Sequence, residues 1–340
     1  MIRLRFIFPV LWIILVATGC AAGTDVPTVI APTVPTPIIA NPTPTLALPL
    51  TAAIQPGTAT AEVAPTATPS ESADVATVLV DSPPTPVVTP TIPPSPTPCA
   101  EPGRIEHGSL DSAVAGEPMR YRVYLPPCYG QDGRIYPTLY MVGGNVHDDG
   151  IWDALGLDEA AEAAIARGDI PPLIIVMPDN GWLANTTTSG PRSYEGFVLD
   201  ELIPHIEATY DAWPEANGRA VGGLSRGGYW SLMMAFRRPD LFRSVGAHSV
   251  ALIDSHAGPA EDPVVTGATN DLGDLRILID IGERDPYLIQ ARPLHDALTA
   301  AGVAHEWQVN EGTHEEAYWR ANLDAYLAWY SNGWLDKGAP

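Results

Sequence analysis

Short apolar runs alternating with helical stretches constrain the fold of this chain more than any other feature. The runs lie at 138–142, 173–177, 220–224, 244–248, 275–281 and 304–309, with helical spacing of apolar residues at 158–167, 195–209, 227–238, 293–301 and 315–330. Unbroken apolar strands are those buried on both faces, and strand–helix–strand order makes a mostly parallel sheet covered on both sides. The expected fold is therefore α/β, a three-layer α/β/α sandwich. Two alternating runs at 104–110 and 119–125 add an antiparallel start with a turn near Gly116. Pro204 is expected to kink the 195–209 helix, and Pro293 to open the helix that follows 275–281.

One junction in this series has a chemical signature. Gly223-Leu224-Ser225-Arg226-Gly227 fits the nucleophile elbow, G-x-S-x-G, in which a strained strand-to-helix turn lifts a serine hydroxyl clear of the sheet. Glycines flank the serine because any side chain there would meet the neighbouring strand or helix. The apolar run before Ser225 and the helical stretch after it, ending before Pro239, supply the required order.

The folded part begins late. Of the 36 prolines, 18 fall in residues 21–98, a segment without Phe, Tyr, Trp, Lys or Arg. Lacking aromatics, it builds no core and reads as a Pro/Thr-rich stalk, on the order of 200 Å long if fully extended. Ahead of it, residues 1–20 read as an export signal, with Arg3 and Arg5 followed by an apolar run too short to span a bilayer. The sequence before Cys20 resembles a bacterial lipobox, so Cys20 is the expected lipid anchor, with plain secretion as the alternative. Residues 99–340 form the expected single domain, outside the cytoplasmic membrane. Cys99 and Cys128 are an even pair in an exported chain, which favours a disulfide over two buried thiols; it would add about 3–4 kcal/mol on the chain-entropy model. A net charge of −22 with one lysine, Lys337, argues against nucleic acid as a partner.

A serine hydroxyl needs a base. In this architecture the acid and then the base follow the serine, at the ends of later strands. His295 lies within a helical stretch and His305 at a strand start, whereas His314 occupies a loop between a strand and a helix and is the expected base. Asp285, in a glycine- and proline-shaped loop just past 275–281, is the expected acid; Glu283 is the nearer rival, and Asp280 lies inside the strand. The developing oxyanion needs two backbone donors, expected from Arg226 and from the turn at Gly143-Gly144-Asn145. Trp152, Trp182 and Tyr194 are candidates either for an acyl pocket or for packing, and the 251–274 loop is expected to overhang the site. His147-Asp148-Asp149 and His314-Glu315-Glu316 lack metal-ligand spacing, so no metal and no cofactor are expected.

Residues 139–152, 173–178, 201–204, 223–228, 281–285 and 312–319 together resemble the esterase D-like branch of the α/β-hydrolases. That branch is similar to feruloyl and acetylxylan esterases and mycolyl transferases. The resemblance runs from about 104 to 334 and implies an α/β-hydrolase fold. It makes Ser225, Asp285 and His314 the triad and the amides of Asn145 and Arg226 the oxyanion hole. It implies a serine esterase acting on a small-molecule or carbohydrate-linked ester. An acyltransferase with the same triad and a non-catalytic binding module on the same fold are the alternatives. Two departures stand out: relatives carry His-Gly where this chain has Gly143-Gly144, and methionine is common at Arg226.

Overall fold

The computed structural model describes residues 100–335, apart from 132, 188 and 253–256. The chain divides into two units, Met1–Val88 and Thr89–Pro340, and the described residues all lie in the second. The expected signal, the Cys20 anchor, the stalk and Cys99 lie outside them.

Among the described residues, eight strands form one sheet in the order β1-β2-β4-β3-β5-β6-β7-β8. β1 (Arg104–Ser112) and β2 (Glu117–Leu125) make the expected antiparallel hairpin, closed by Gly116 at φ 73°, whose amide donates to the Ser112 carbonyl at 2.9 Å. β2 runs antiparallel to β4 (Ile174–Pro178). From there β3 (Thr138–Val142), β5 (Arg219–Leu224), β6 (Ser244–His248), β7 (Arg276–Gly282) and β8 (Glu306–Asn310) are all parallel. The chain lays β4 on one side of β3 and β5 on the other. This reversal opens a crevice at the C-terminal ends of β3 and β5, where α/β sheets bind ligands.

The helices are α1 (Ile151–Leu155), α2 (Leu157–Arg167), α3 (Leu183–Thr186), α4 (Tyr194–Gly196), α5 (Ile203–Thr209), α6 (Arg226–Arg237), α7 (Pro263–Thr269), α8 (Leu288–Ala301) and α9 (Glu316–Leu335). Successive strand residues serve opposite faces. Tyr140, Val142, Val176, Val221 and Ile279 pack with α6 and α8, while Leu139, Met141, Ile175 and Leu278 pack with α1, α2 and α9. Both faces being covered, the fold is the expected three-layer α/β sandwich.

Three expectations need correction. Pro204 does not interrupt one continuous α-helix: it lies in the first turn of α5, after a wider π-helical turn over Phe197–Leu202, so the missing proline N–H coincides with a change of register. Pro293 sits inside α8 rather than opening it, the helix starting earlier at Leu288. The 251–274 segment, read as a loop, contains α7. Asp262 caps α7 by accepting the Val264 amide at 2.9 Å, and α7 docks through Gly267 against Phe236 and Leu298.

Tyr330 reaches from α9 under the middle of the sheet. Its hydroxyl occupies the place that a Cβ on Gly222 or on Gly246 would need. Glycine at these two strand positions is therefore a packing requirement.

Candidate active site

β5 ends in Ser225, and α6 starts at the next residue. Ser225 holds φ 56° and ψ −122°, a strained combination for a residue with a side chain. Its neighbours hold it there: its amide donates to the His248 carbonyl at 2.9 Å, and its carbonyl accepts the Gly228 and Ala251 amides, each at 3.1 Å. A Cβ on Gly223 would lie 2.5 Å from the Gly227 backbone, and one on Gly227 would lie 2.5 Å from the Gly143 carbonyl oxygen. The two glycines let the elbow, the end of β3 and the first turn of α6 meet backbone to backbone.

The residues expected to act with Ser225 come together around it. His314 Nε2 lies 3.0 Å from Ser225 Oγ, and His314 Nδ1 lies 2.8 Å from Asp285 Oδ2. Asp285 is 4% exposed, and its other oxygen accepts the Tyr287 amide at 2.8 Å. Tyr287 and Trp319 meet the His314 ring edge to face, at 4.6 and 5.2 Å between centroids, which fixes its plane. The loops behind them are joined: Glu283 N donates to Asn310 O at 2.8 Å and Arg284 N to Gly312 O at 3.0 Å. Glu283, the rival acid, is half exposed and pairs with Arg284 at 2.6 Å. His295 and His305 contact each other at 2.8 Å. The arrangement supports proton transfer from a serine hydroxyl to an imidazole oriented by a buried carboxylate.

The turn after β3 is held by residues that the sequence did not single out for that work. Trp152 Nε1 donates to Val142 O at 3.1 Å; Asn180 Nδ2 donates to Gly143 O at 2.7 Å and Gly144 O at 3.0 Å; Asn185 Nδ2 donates to Asn145 O at 3.2 Å. Four consecutive carbonyls are thus captured by side chains. Tyr194 donates to Asn180 Oδ1 at 2.9 Å and fixes the amide's orientation. Trp152 and Tyr194, weighed as pocket-lining residues, are fully buried and brace the turn instead, whereas Trp182 is 49% exposed. The Gly144 amide donates to His147 Nδ1 at 3.2 Å. His147 therefore braces the Gly143-Gly144 turn from three residues downstream. Burial is the main cause holding its pKa below the ordinary histidine value, which suits a neutral acceptor.

Arg226 turns its side chain aside, with Nε donating to Ala184 O at 3.2 Å, while its amide is at the first position of α6, where a helix offers no acceptor of its own. Cys128 has φ 65°, and its sulfur lies 3.9 Å from the Glu101 carbonyl, beside the start of the described chain.

The Esterase family model matches residues 112–330. The chain belongs to that family. All three residues brought together lie within the matched Esterase segment. An esterase of Mycobacterium tuberculosis is 38% identical over 145 residues, 41% of this chain and 30% of that protein. An endo-1,4-beta-xylanase/feruloyl esterase of Xylanibacter ruminicola is 29% identical over 235 residues, 65% of this chain and 30% of that protein. The matches thus take in under a third of these relatives' own length. Among solved structures, a ferulic acid esterase superposes with a TM-score of 0.62 at 24% identity, over 68% of this chain and 98% of that one. The fold is accordingly that of the α/β-hydrolase-like esterases.

Proposed function

We propose that this chain is a serine carboxylic-ester hydrolase. The observation that carries the reading is the hydrogen-bonded series Ser225–His314–Asp285, at 3.0 and 2.8 Å, on a strained elbow. With Nδ1–H donating to Asp285, His314 Nε2 is free to take the Ser225 proton as Oγ attacks the ester carbonyl carbon. The amides of Asn145 and Arg226 receive the resulting oxyanion. The imidazolium then gives its proton to the departing alcohol, leaving an acyl-enzyme. Water loses a proton to Nε2, attacks the acyl carbon and releases the acid, and Ser225 recovers its proton.

The substrate is a small-molecule or carbohydrate-linked ester, and the feruloyl esterase among the relatives makes feruloyl esters the first to test. The domain acts outside the cytoplasmic membrane on a Pro/Thr-rich stalk anchored at Cys20, a reading supported by the lipobox-like segment and the aromatic-free stretch. A Cys99–Cys128 bridge would tie the stalk to the domain; the closeness of Cys128 to Glu101 supports it.

The test is labelling of the folded protein with a fluorophosphonate serine probe, followed by turnover of acetyl, butyryl, feruloyl and thioester substrates. Labelling of wild type and none of Ser225→Ala is expected. An unlabelled, folded wild type would overturn the enzyme reading, and persistent labelling of Ser225→Ala would overturn the choice of nucleophile.

A further inference from the structure

Behind the elbow lies a second acid–histidine pair that reaches no substrate. His248 and Asp280, on adjacent strands β6 and β7, are both fully buried, with His248 Nδ1 2.6 Å from Asp280 Oδ1. Asp280 Oδ2 accepts the hydroxyls of Tyr318 at 2.7 Å and Tyr326 at 2.8 Å. His248 Nε2 lies 3.1 Å from the Tyr330 hydroxyl, and Tyr326 stacks on the imidazole at 3.7 Å. One tautomer satisfies every group: Nδ1–H donates to Asp280 and Nε2 accepts from Tyr330. Burial raises the pKa of all three phenols, so they remain donors. A buried carboxylate with no partner would be very costly; with three donors it becomes a rigid fixture.

The position of this network gives it consequences at the site. The His248 carbonyl accepts the Ser225 amide at 2.9 Å, and the turn beyond His248 supplies the Ala251 amide to the Ser225 carbonyl at 3.1 Å. His248 therefore carries one end of the clamp on the strained nucleophile. Tyr318 carries the other branch: its hydroxyl also accepts Asn310 Nδ2 at 3.2 Å, and its ring lies against Gly312, two residues before His314. Trp152, which holds the Val142 carbonyl below the oxyanion turn, meets His248 edge to face at 6.1 Å. Asp280 joins the nucleophile's clamp to the base's loop.

We propose that Asp280 is a positioning residue which, through His248 on one side and Tyr318 on the other, sets the distance between Ser225 and His314. This rests on the serine-esterase reading. A misplacement of the two by a fraction of an ångström slows proton transfer while leaving the substrate pocket unchanged.

Asp280→Asn sets an amide N–H against a ring of donors and invites misfolding, so the test uses Tyr318→Phe, Tyr330→Phe and the double variant. Tyr140→Phe serves as control, because its buried hydroxyl has no hydrogen-bond partner. The readouts are the fluorophosphonate labelling rate, kcat and KM on one ester, and Tm. Each single variant is expected to label and turn over roughly tenfold more slowly with KM within about twofold, and the control at the wild-type rate. The double variant is expected to lose less than the product of the two singles, since Tyr318 bonds Asp280 directly and Tyr330 bonds it through His248, within one network. Variants that lose Tm but keep wild-type labelling and kcat would overturn the proposal, as would a control slowed equally or full additivity. A wild type that does not label would instead overturn the esterase reading itself.

Discussion

His147 Nδ1 accepts the amide of Gly144 at 3.2 Å, and so a histidine other than His314 holds the Gly143-Gly144 turn that packs against the elbow. His147→Ala is expected to lower kcat about tenfold with little change in KM, because the oxyanion is bound tightly only in the transition state. The brace works only with the neutral ring. Burial, and then the nearby His314, lower the His147 pKa, while Glu316 and Asp148 oppose them without reversing the direction. The folded state thus binds fewer protons than the unfolded one. The brace's contribution is complete above the unfolded value of about 6.5 and is lost as pH falls through the lower folded value. The stability difference between wild type and His147→Ala, followed by thermal melts across pH, should shrink on the acid side.

Asn180 is the second support of the same turn. Asn180→Ala removes the Asn180 bonds to the Gly143 carbonyl and the Tyr194 hydroxyl and one of the two bonds to the Gly144 carbonyl, which keeps the His147 amide, and should cost about 2–3 kcal/mol in urea unfolding. Tyr194→Phe removes only the distal bond and should cost about 1 kcal/mol. A smaller loss for Asn180→Ala than for Tyr194→Phe would contradict the hierarchy.

The elbow glycines are not equivalent to the one that follows. A Cβ on Gly227 runs into the Val142 and Gly143 carbonyls, whereas one on Gly228 finds its nearest neighbours at 3.1 Å or more. Gly227→Ala should destabilise by about 3 kcal/mol and abolish serine labelling, while Gly228→Ala should cost about 1 kcal/mol and retain labelling.

The two candidate acids separate sharply. Asp285 is buried against His314 Nδ1, while Glu283 faces solvent with Arg284. Asp285→Asn should reduce kcat by about 10³–10⁴ through the wrong imidazole tautomer, and Glu283→Gln should leave it within about twofold. Steady-state kinetics on a single ester decide the matter.

The layers of the fold and the convergence of Ser225, His314 and Asp285 were legible because each has a local signature. Apolar runs report burial, and Ser225, Asp285 and His314 each stand in a loop just past a strand end. The supports were not legible, because they act from a distance. Nothing around Asn180 says that its amide will reach two carbonyls 36 and 37 residues away. Trp152 and Tyr194 drew notice as aromatics, but only their hydrogen bonds reveal a bracing role. Asp280 lies in an apolar strand, where its charge signals an unusual environment without naming the partners from β6 and α9. α7 did carry a signal: Asp262 before Pro263 is a capping residue followed by the residue best suited to a first helical turn.

The Tyr330 hydroxyl fills the space of the side chains that Gly222 and Gly246 lack. The three positions are consequently bound together in evolutionary time. A larger residue at either glycine is ruinous while Tyr330 stands, yet its steric penalty falls once Tyr330 has become smaller. Tyr330 can shrink first, leaving a cavity and an unpaired His248 Nε2, but neither glycine can grow first. Drift through this part of sequence space is therefore directional, with α9 as the gate through which changes in β5 and β6 must pass.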